Sequence, residues 1–301
     1  MSESEPGGTV ARPRFDPEAL ATGMAELTAA VEAWARRDAR VLAAVLIGSR
    51  ARPDRPADAY SDLDVVFVTD DPAGYLDGDG WLDALGHGAP LTDYREQTLV
   101  PGIVERRVMF PGWREADFVP VPTALARSGE AAAVFAGIAR RGFRVLADGA
   151  GLLAALLPAG PPGPPATPGP PTEAEYRQCL HDYLHHVVWS LKKLARGELW
   201  MASGAQYGTL RRTVLRLLEW EAATRPEPAD TWHEGRFVDR WGDRAALDRL
   251  PAALAGGYDT AGVLAAHRAG LELVRELGTA LGGRSGYAYP ENAHLHVVGL
   301  L

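Results

Sequence analysis

The stretch Val41–Asp70, VLAAVLIGSRARPDRPADAYSDLDVVFVTD, decides the fold. It opens on an apolar run from Val41 to Ile47, turns at Gly48-Ser49 and crosses a polar loop. A second apolar run then begins Asp62-Leu63-Asp64 and continues through Val65, Val66, Phe67 and Val68. Both runs have the length and branched composition of buried strands. On a strand, residues i and i+2 point to the same side, so Asp62 and Asp64 project from one face. Like charges at the head of an apolar strand repel each other. A hard divalent cation such as Mg2+ removes the conflict by taking both carboxylates as ligands.

Gly48-Ser49 supplies a second element. A glycine at the end of a buried strand lets the backbone approach a ligand closely, and the amides and the Ser49 hydroxyl can hold phosphate oxygens. Downstream, Ile103 to Phe110 and Arg114 to Val121 alternate on either side of Pro111-Gly112, which predicts a hairpin. Asp117 lies in its second arm, in the frame ADFVPV. A third carboxylate beside Asp62 and Asp64 would complete a metal site and could orient or deprotonate an acceptor hydroxyl. The competing reading places Asp117 on an exposed edge strand, since Pro120 and Pro122 are edge-strand residues.

Composition narrows the chemistry. The chain has 301 residues, room for two domains, and an ordinary hydrophobic share of 47%. Net charge is -8, and the acidic surplus lies in the half that carries Asp62 and Asp64: 16 Lys+Arg against 23 Asp+Glu before Thr172, then 15 against 16. That distribution disfavours nucleic acid as a partner and favours a cationic small molecule. The single Cys179 cannot form an intrachain disulfide, and no run is apolar enough for a signal or a membrane span. A monomeric cytoplasmic protein without membrane partners is expected.

Taken in order, residues 1 to about 14 look unstructured. Asp16-Pro17 then starts a helix with Leu20, Met24, Leu27, Val31 and Trp34 on one stripe, ending near Arg36-Arg37. Pro72 to Gly88 reads as a short helical or irregular connection, Pro122 to Arg140 as helical, and residues 143–149 as a last strand. Pro158 to Pro171 holds eight prolines in fourteen residues and reads as a stiff linker. The predicted organisation is a catalytic domain over 1–157, a linker over 158–172 and a helical domain over 173–301. The last contains helices at Glu173 to Gly197, Met201 to Thr224, Ala245 to Leu254 and Thr260 to Leu281. Trp232 to Trp241 reads as an aromatic-rich loop and Gly286 to Leu301 as an extended tail. The class is α+β: a mixed sheet with flanking helices, followed by a helical bundle.

Two features of the second half bear on function. Lysine is used only at Lys192 and Lys193, against 29 arginines, and a retained lysine suits a terminal phosphate; a solvated helix face is the alternative. His181, Asp182, His185 and His186 cluster on one helix, but no further ligand set at zinc spacing accompanies them, so they read as helix-face residues.

These motifs together resemble the aminoglycoside 6-adenylyltransferase family, also called streptomycin adenylyltransferases, within the nucleotidyltransferase-fold superfamily. The resemblance rests on GSRARPD followed by YSDLDVVFV, on the third-acid strand with Asp117, on KKLARGEL and LRLLEW, and on Tyr289-Pro290. Leu63 departs from the family, which often has an aromatic there. The resemblance implies transfer of AMP from ATP to a hydroxyl of an aminoglycoside such as streptomycin, releasing pyrophosphate, in antibiotic resistance. It implies Asp62, Asp64 and Asp117 as catalytic and metal-binding residues for two Mg2+, and Gly48, Ser49, Arg50 and Lys192 as contacts for ATP. Asp182 and Glu175 are candidates for acceptor ammonium groups. The rivals are a nucleotidyltransferase for another small molecule, such as a lincosamide or a biosynthetic intermediate, a protein-modifying AMP transferase, and a non-catalytic protein on the same fold.

Overall fold

A computed structural model describes residues 14–52, 57–98, 100–128, 135–137, 139–157, 169–227, 229–231, 234–254 and 257–301. The expectations for the extreme N-terminus and for most of the proline-rich linker lie outside these residues, as do parts of those for 122–140 and 232–241. The chain divides into two compact units, Met1–Pro164 and Pro165–Leu301.

The first unit is built on a six-stranded mixed sheet with flanking helices. Helix α1 (Pro17–Arg37) starts where Asp16 accepts hydrogen bonds from the backbone N–H groups of Glu18 and Ala19, with proline at the first helical position. Strand β1 (Ala43–Ile47) is followed by a single 3-10 turn, Ser49–Ala51, and by β2 (Leu63–Thr69). Two short helices, α2 (Pro72–Asp77) and α3 (Gly80–Asp83), lead to β3 (Thr92–Gln97), β4 (Val104–Phe110) and β5 (Arg114–Pro122). Helix α4 (Thr123–Ala126), β6 (Arg144–Ala147) and α5 (Leu153–Leu156) complete the unit. The strand order is β3-β4-β5-β2-β1-β6; β2 and β5 run parallel and every other pair is antiparallel.

Strand alternation sends two sets of side chains to two different cores. Leu63, Val65, Phe67, Ala116 and Phe118 face α1, α2 and α3, where Trp34, Tyr75 and Trp81 join them; Trp81 meets Phe118 edge-on at 4.8 Å between ring centroids. Val66 and Val68 face the other way and pack with Ala43, Val45, Ala126, Leu153 and Leu156. Asp62 and Asp64 are in phase with this second set, at the start of β2.

The edge reading of Asp117 is corrected, because β5 is an interior strand. Strand β2 pairs with it along its whole length, from Leu63↔Ala116 to Thr69↔Pro122, whereas β4 reaches only as far as Arg106↔Phe118. Pro120 and Pro122 lie beyond the end of the β4 ladder, where a missing N–H leaves no partner unsatisfied. Strand β3 has no counterpart in the sequence reading. All six of its residues are exposed, and its apolar alternation is absent because Asp93 turns inward to the fully buried Arg106.

The second unit is helical. Helix α6 (Glu173–Ala195) starts with a capping box in which Thr172 and Glu175 satisfy each other's backbone N–H groups. It packs with α7 (Leu199–Ala223), α9 (Arg244–Leu254) and α10 (Thr260–Ser285) around Leu180, Leu184, Leu217, Trp220 and Val274. The 232–241 region is only partly a loop, since α8 (Val238–Trp241) forms at its end and buries Trp241. The extended tail is corrected as well: Gly286 stops α10 in the left-handed region (φ 77°), and a final helix α11 follows, Glu291–Val298. Pro290 at its N-cap and Glu291 in its first turn suit a helix start, and the branched run His294-Leu295-His296-Val297-Val298 masked that signal. Polar ties cross this core. Tyr176 donates to the Gly278 carbonyl at 2.7 Å, and His267 Nε2 lies 2.8 Å from Ser190 Oγ, which donates to the Ala202 carbonyl at 3.0 Å. Among the described residues, no helix is long and apolar enough to cross a membrane.

Candidate active site

Register assembles the site. The parallel β2–β5 pairing sets Asp64 directly beside Asp117, and Asp62 stands one residue before β2 on the same side. Each of the three offers a carboxylate oxygen, and these oxygens lie within 4.8 Å of one another; this is the one such cluster among the described residues. Burial, with the Asp62 and Asp117 charges added, pushes the Asp64 carboxyl up to about 8. Burial raises Asp117 to about 7, against the opposing charge of Arg107 and with help from Asp62 and Glu105. Carboxylates held together at this cost want a cation, and an all-oxygen donor set suits a hard divalent one.

Gly48 is shaped to this cluster. Its φ of +70° belongs to the region glycine tolerates, and a Cβ added there would come within 1.8 Å of Asp64 Oδ2. Next to it, Ser49 is 6% exposed and its Oγ is buried without a hydrogen-bond partner. A buried hydroxyl left unmade costs about 1–3 kcal/mol, so an incoming oxygen ligand at this turn would be favoured. The three carboxylates, the close-approach glycine and the unpaired hydroxyl fit a divalent cation with a phosphate group.

Arg50 faces elsewhere. Its Nε donates to the carbonyls of Ser61 (3.2 Å) and Asp62 (2.9 Å), and its Nη2 to that of Ser61 (2.6 Å). These bonds hold the segment that delivers Asp62, so Arg50 braces the site instead of presenting those donors to a phosphate.

Arg107 is the residue that sequence reasoning missed. It sits opposite Asp117 in the β4–β5 ladder, with Nε 3.3 Å from Asp117 Oδ2, 2.7 Å from Glu105 Oε1 and 3.3 Å from Glu96 Oε2. Burial alone would lower its pKa; the facing Asp117 and Glu105 carboxylates outweigh that and hold it above the usual range. Counting residues back from the Pro111-Gly112 turn would have paired it with Asp117.

The remaining expected residues lie in the second unit. Lys192 is exposed on α6, whereas Lys193 pairs with Glu198 at 2.7 Å and stands over the Trp189 ring at 5.1 Å. Glu175 is committed to the helix cap, and Asp182 lies 3.3 Å from His186. The His181–His186 group forms no metal cluster among the described residues.

A sequence profile of the streptomycin adenylyltransferase family matches residues 23–299, nearly the whole chain. The chain belongs to this family. Among individual relatives, it is 22% identical over 190 residues to an aminoglycoside 6-adenylyltransferase of Campylobacter jejuni, covering 62% of this chain and 63% of that protein. It is 22% identical over 203 residues to the aminoglycoside 6-adenylyltransferase of Bacillus subtilis (strain 168), covering 64% and 66%. Both alignments span slightly less than two thirds of the relative's length. A solved structure, an aminoglycoside 6-adenyltransferase from Bacillus subtilis, superposes with a TM-score of 0.42 at 17% identity over 92% of this chain and 97% of that one.

Proposed function

We propose that this protein is a cytoplasmic enzyme that transfers AMP from ATP to a hydroxyl of an aminoglycoside such as streptomycin, releasing pyrophosphate. The observation that carries the reading is the convergence of Asp62, Asp64 and Asp117 against Gly48, within a chain of this family. Asp62 and Asp64, with Asp117, would hold Mg2+. When bound, the metal supplies positive charge that offsets the triphosphate and polarises its α-phosphorus for attack. Gly48 and Ser49 offer amides and a free hydroxyl to the outer phosphates, and Arg50 keeps Asp62 in place. Asp117, facing the acceptor, accepts the proton of the attacking hydroxyl. Lys192 contributes a compact ammonium to a phosphate.

The test is pyrophosphate release with ATP, Mg2+ and a panel of aminoglycosides, wild type beside Asp64→Ala. Release that depends on both streptomycin and Asp64 supports the reading. Mg2+-dependent ATP binding without release on any aminoglycoside would reassign the acceptor to another small molecule, and absence of ATP binding would remove the reading altogether.

A further inference from the structure

Asp117 is asked to hold a direction that electrostatics opposes. Asp62 and Asp64 repel it, Glu105 and Glu115 add to the field, and its carboxylate could relieve the strain by rotating toward solvent. One group restrains it: Arg107, the cross-strand neighbour on β4, whose Nε faces Asp117 Oδ2 at 3.3 Å. The guanidinium is itself held, because Glu105 on its own strand takes Nε and Nη2 at 2.7 Å and Glu96, from edge strand β3, stands 3.3 Å away. We propose that Arg107 is the positioning residue of the reaction, fixing the Asp117 carboxylate by one oxygen so that the other stays turned to Asp62, Asp64 and the acceptor hydroxyl. This inference rests on the nucleotidyl-transfer reading above.

Stability is a poor account of the arrangement. The Arg107 side chain is 40% exposed, and exposed ion pairs add little to folding. What a guanidinium held by its own partners does well is keep a positive charge in one place beside a carboxylate, which a flexible ammonium does less well. The three acids around Arg107 Nε come from three adjacent strands, and its N–H donates to Glu105, so the charge that faces Asp117 at 3.3 Å is set by the sheet's own register.

The test uses the full-length protein as wild type, Arg107→Met and Arg107→Lys, each crystallised and each assayed for pyrophosphate release. Arg107→Met keeps an unbranched apolar stem about as far as Nε and removes the guanidinium. The expected result is an Asp117 carboxylate rotated away from Asp62 and Asp64 with the β4–β5 register unchanged. With it, kcat falls by about 100-fold while KM for ATP stays within about 2-fold, the pattern of a misplaced reacting group. Arg107→Lys, which still offers a charge to Asp117, is expected to recover part of kcat. An unmoved Asp117 in Arg107→Met overturns the proposal even if kcat falls, since Arg107 would then act by charge alone. A displaced Asp117 with wild-type kcat overturns it too, as does a lysine variant no better than methionine. If wild type releases no pyrophosphate with any acceptor, the functional reading fails, and the crystallographic comparison still decides whether Arg107 orients Asp117.

Discussion

Arg106 and Arg107 are consecutive residues of β4 that face opposite sides of one sheet, and they do different work. Arg106 has no exposed surface and spends its donors fully: two bonds to Asp93 at 3.0 and 2.6 Å, one to Asp79 at 2.5 Å, and two to the carbonyls of Tyr75 and Gly78 at 2.9 and 2.6 Å. Burial raises the pKa of Asp93, but the bonds and charges of Arg106 and Arg95 together outweigh it and leave the carboxyl below its usual range. Arg107 is half-buried and shared among more carboxylates than it can neutralise. The contrast teaches a way to tell fold from site: a buried charge with every donor matched is structural, and a charge outnumbered by clustered carboxylates marks a place where another cation belongs.

Variants on the two faces can break this distinction. The largest effect is expected from Asp64→Asn, on the outnumbered face. Turnover should fall by more than about 1000-fold, as for loss of a metal-holding carboxylate, while the melting temperature stays level or rises because a buried repulsion is removed. A variant that loses activity by unfolding would contradict the assignment. Arg106→Met, on the matched face, should do the reverse. It should lose about 1–3 kcal/mol in denaturant unfolding for each of the Tyr75 and Gly78 carbonyls left without its donor, with normal turnover for the molecules that remain folded.

Gly48→Ala should fall between the two. The added methyl meets Asp64 and forces a left-handed backbone, so a loss of about 1–2 kcal/mol for the backbone should accompany a clear loss of Mg2+-dependent ATP binding by calorimetry. A further effect lies in the second unit, where burial disfavours a charge on His267. Burial pushes His267 down to about 4, below the ordinary value of 6.5. Between those two values the unfolded chain binds the extra proton, so this contribution to stability is complete above pH 6.5 and declines as the pH falls. It amounts to about 2 kcal/mol lost by pH 5. Unfolding measured at pH 7 and pH 5 should show that decline in wild type and a smaller one in His267→Gln.

Much of the site was legible because the needed rule is short. Strand alternation alone placed Asp62 and Asp64 together, and the Pro111-Gly112 hairpin led to Asp117. Other features depended on three-dimensional partners that periodicity does not encode. Strand β3, TDYREQ, carries no apolar rhythm because its inward residue is an acid answering Arg106. Pro120 and Pro122 suggested an edge because a sequence does not reveal where a neighbouring ladder stops. Arg50, next to the Gly-Ser turn, looked like a phosphate ligand, and only the positions of the Ser61 and Asp62 carbonyls show where its guanidinium goes. The tail hid α11 behind branched residues that a short capped helix accommodates.

The parallel pairing of β2 with β5 also bears on how the protein comes into being. Antiparallel neighbours can zip together from a turn, but parallel ones must wait for a long crossover to close, here the segment that carries α2, α3, β3 and β4. Until that crossover closes, Asp64 and Asp117 are distant and do not repel each other. The acidic cluster therefore appears late in folding and opposes the step that creates it, so a divalent ion in the surrounding solution would favour the finished sheet over its precursor.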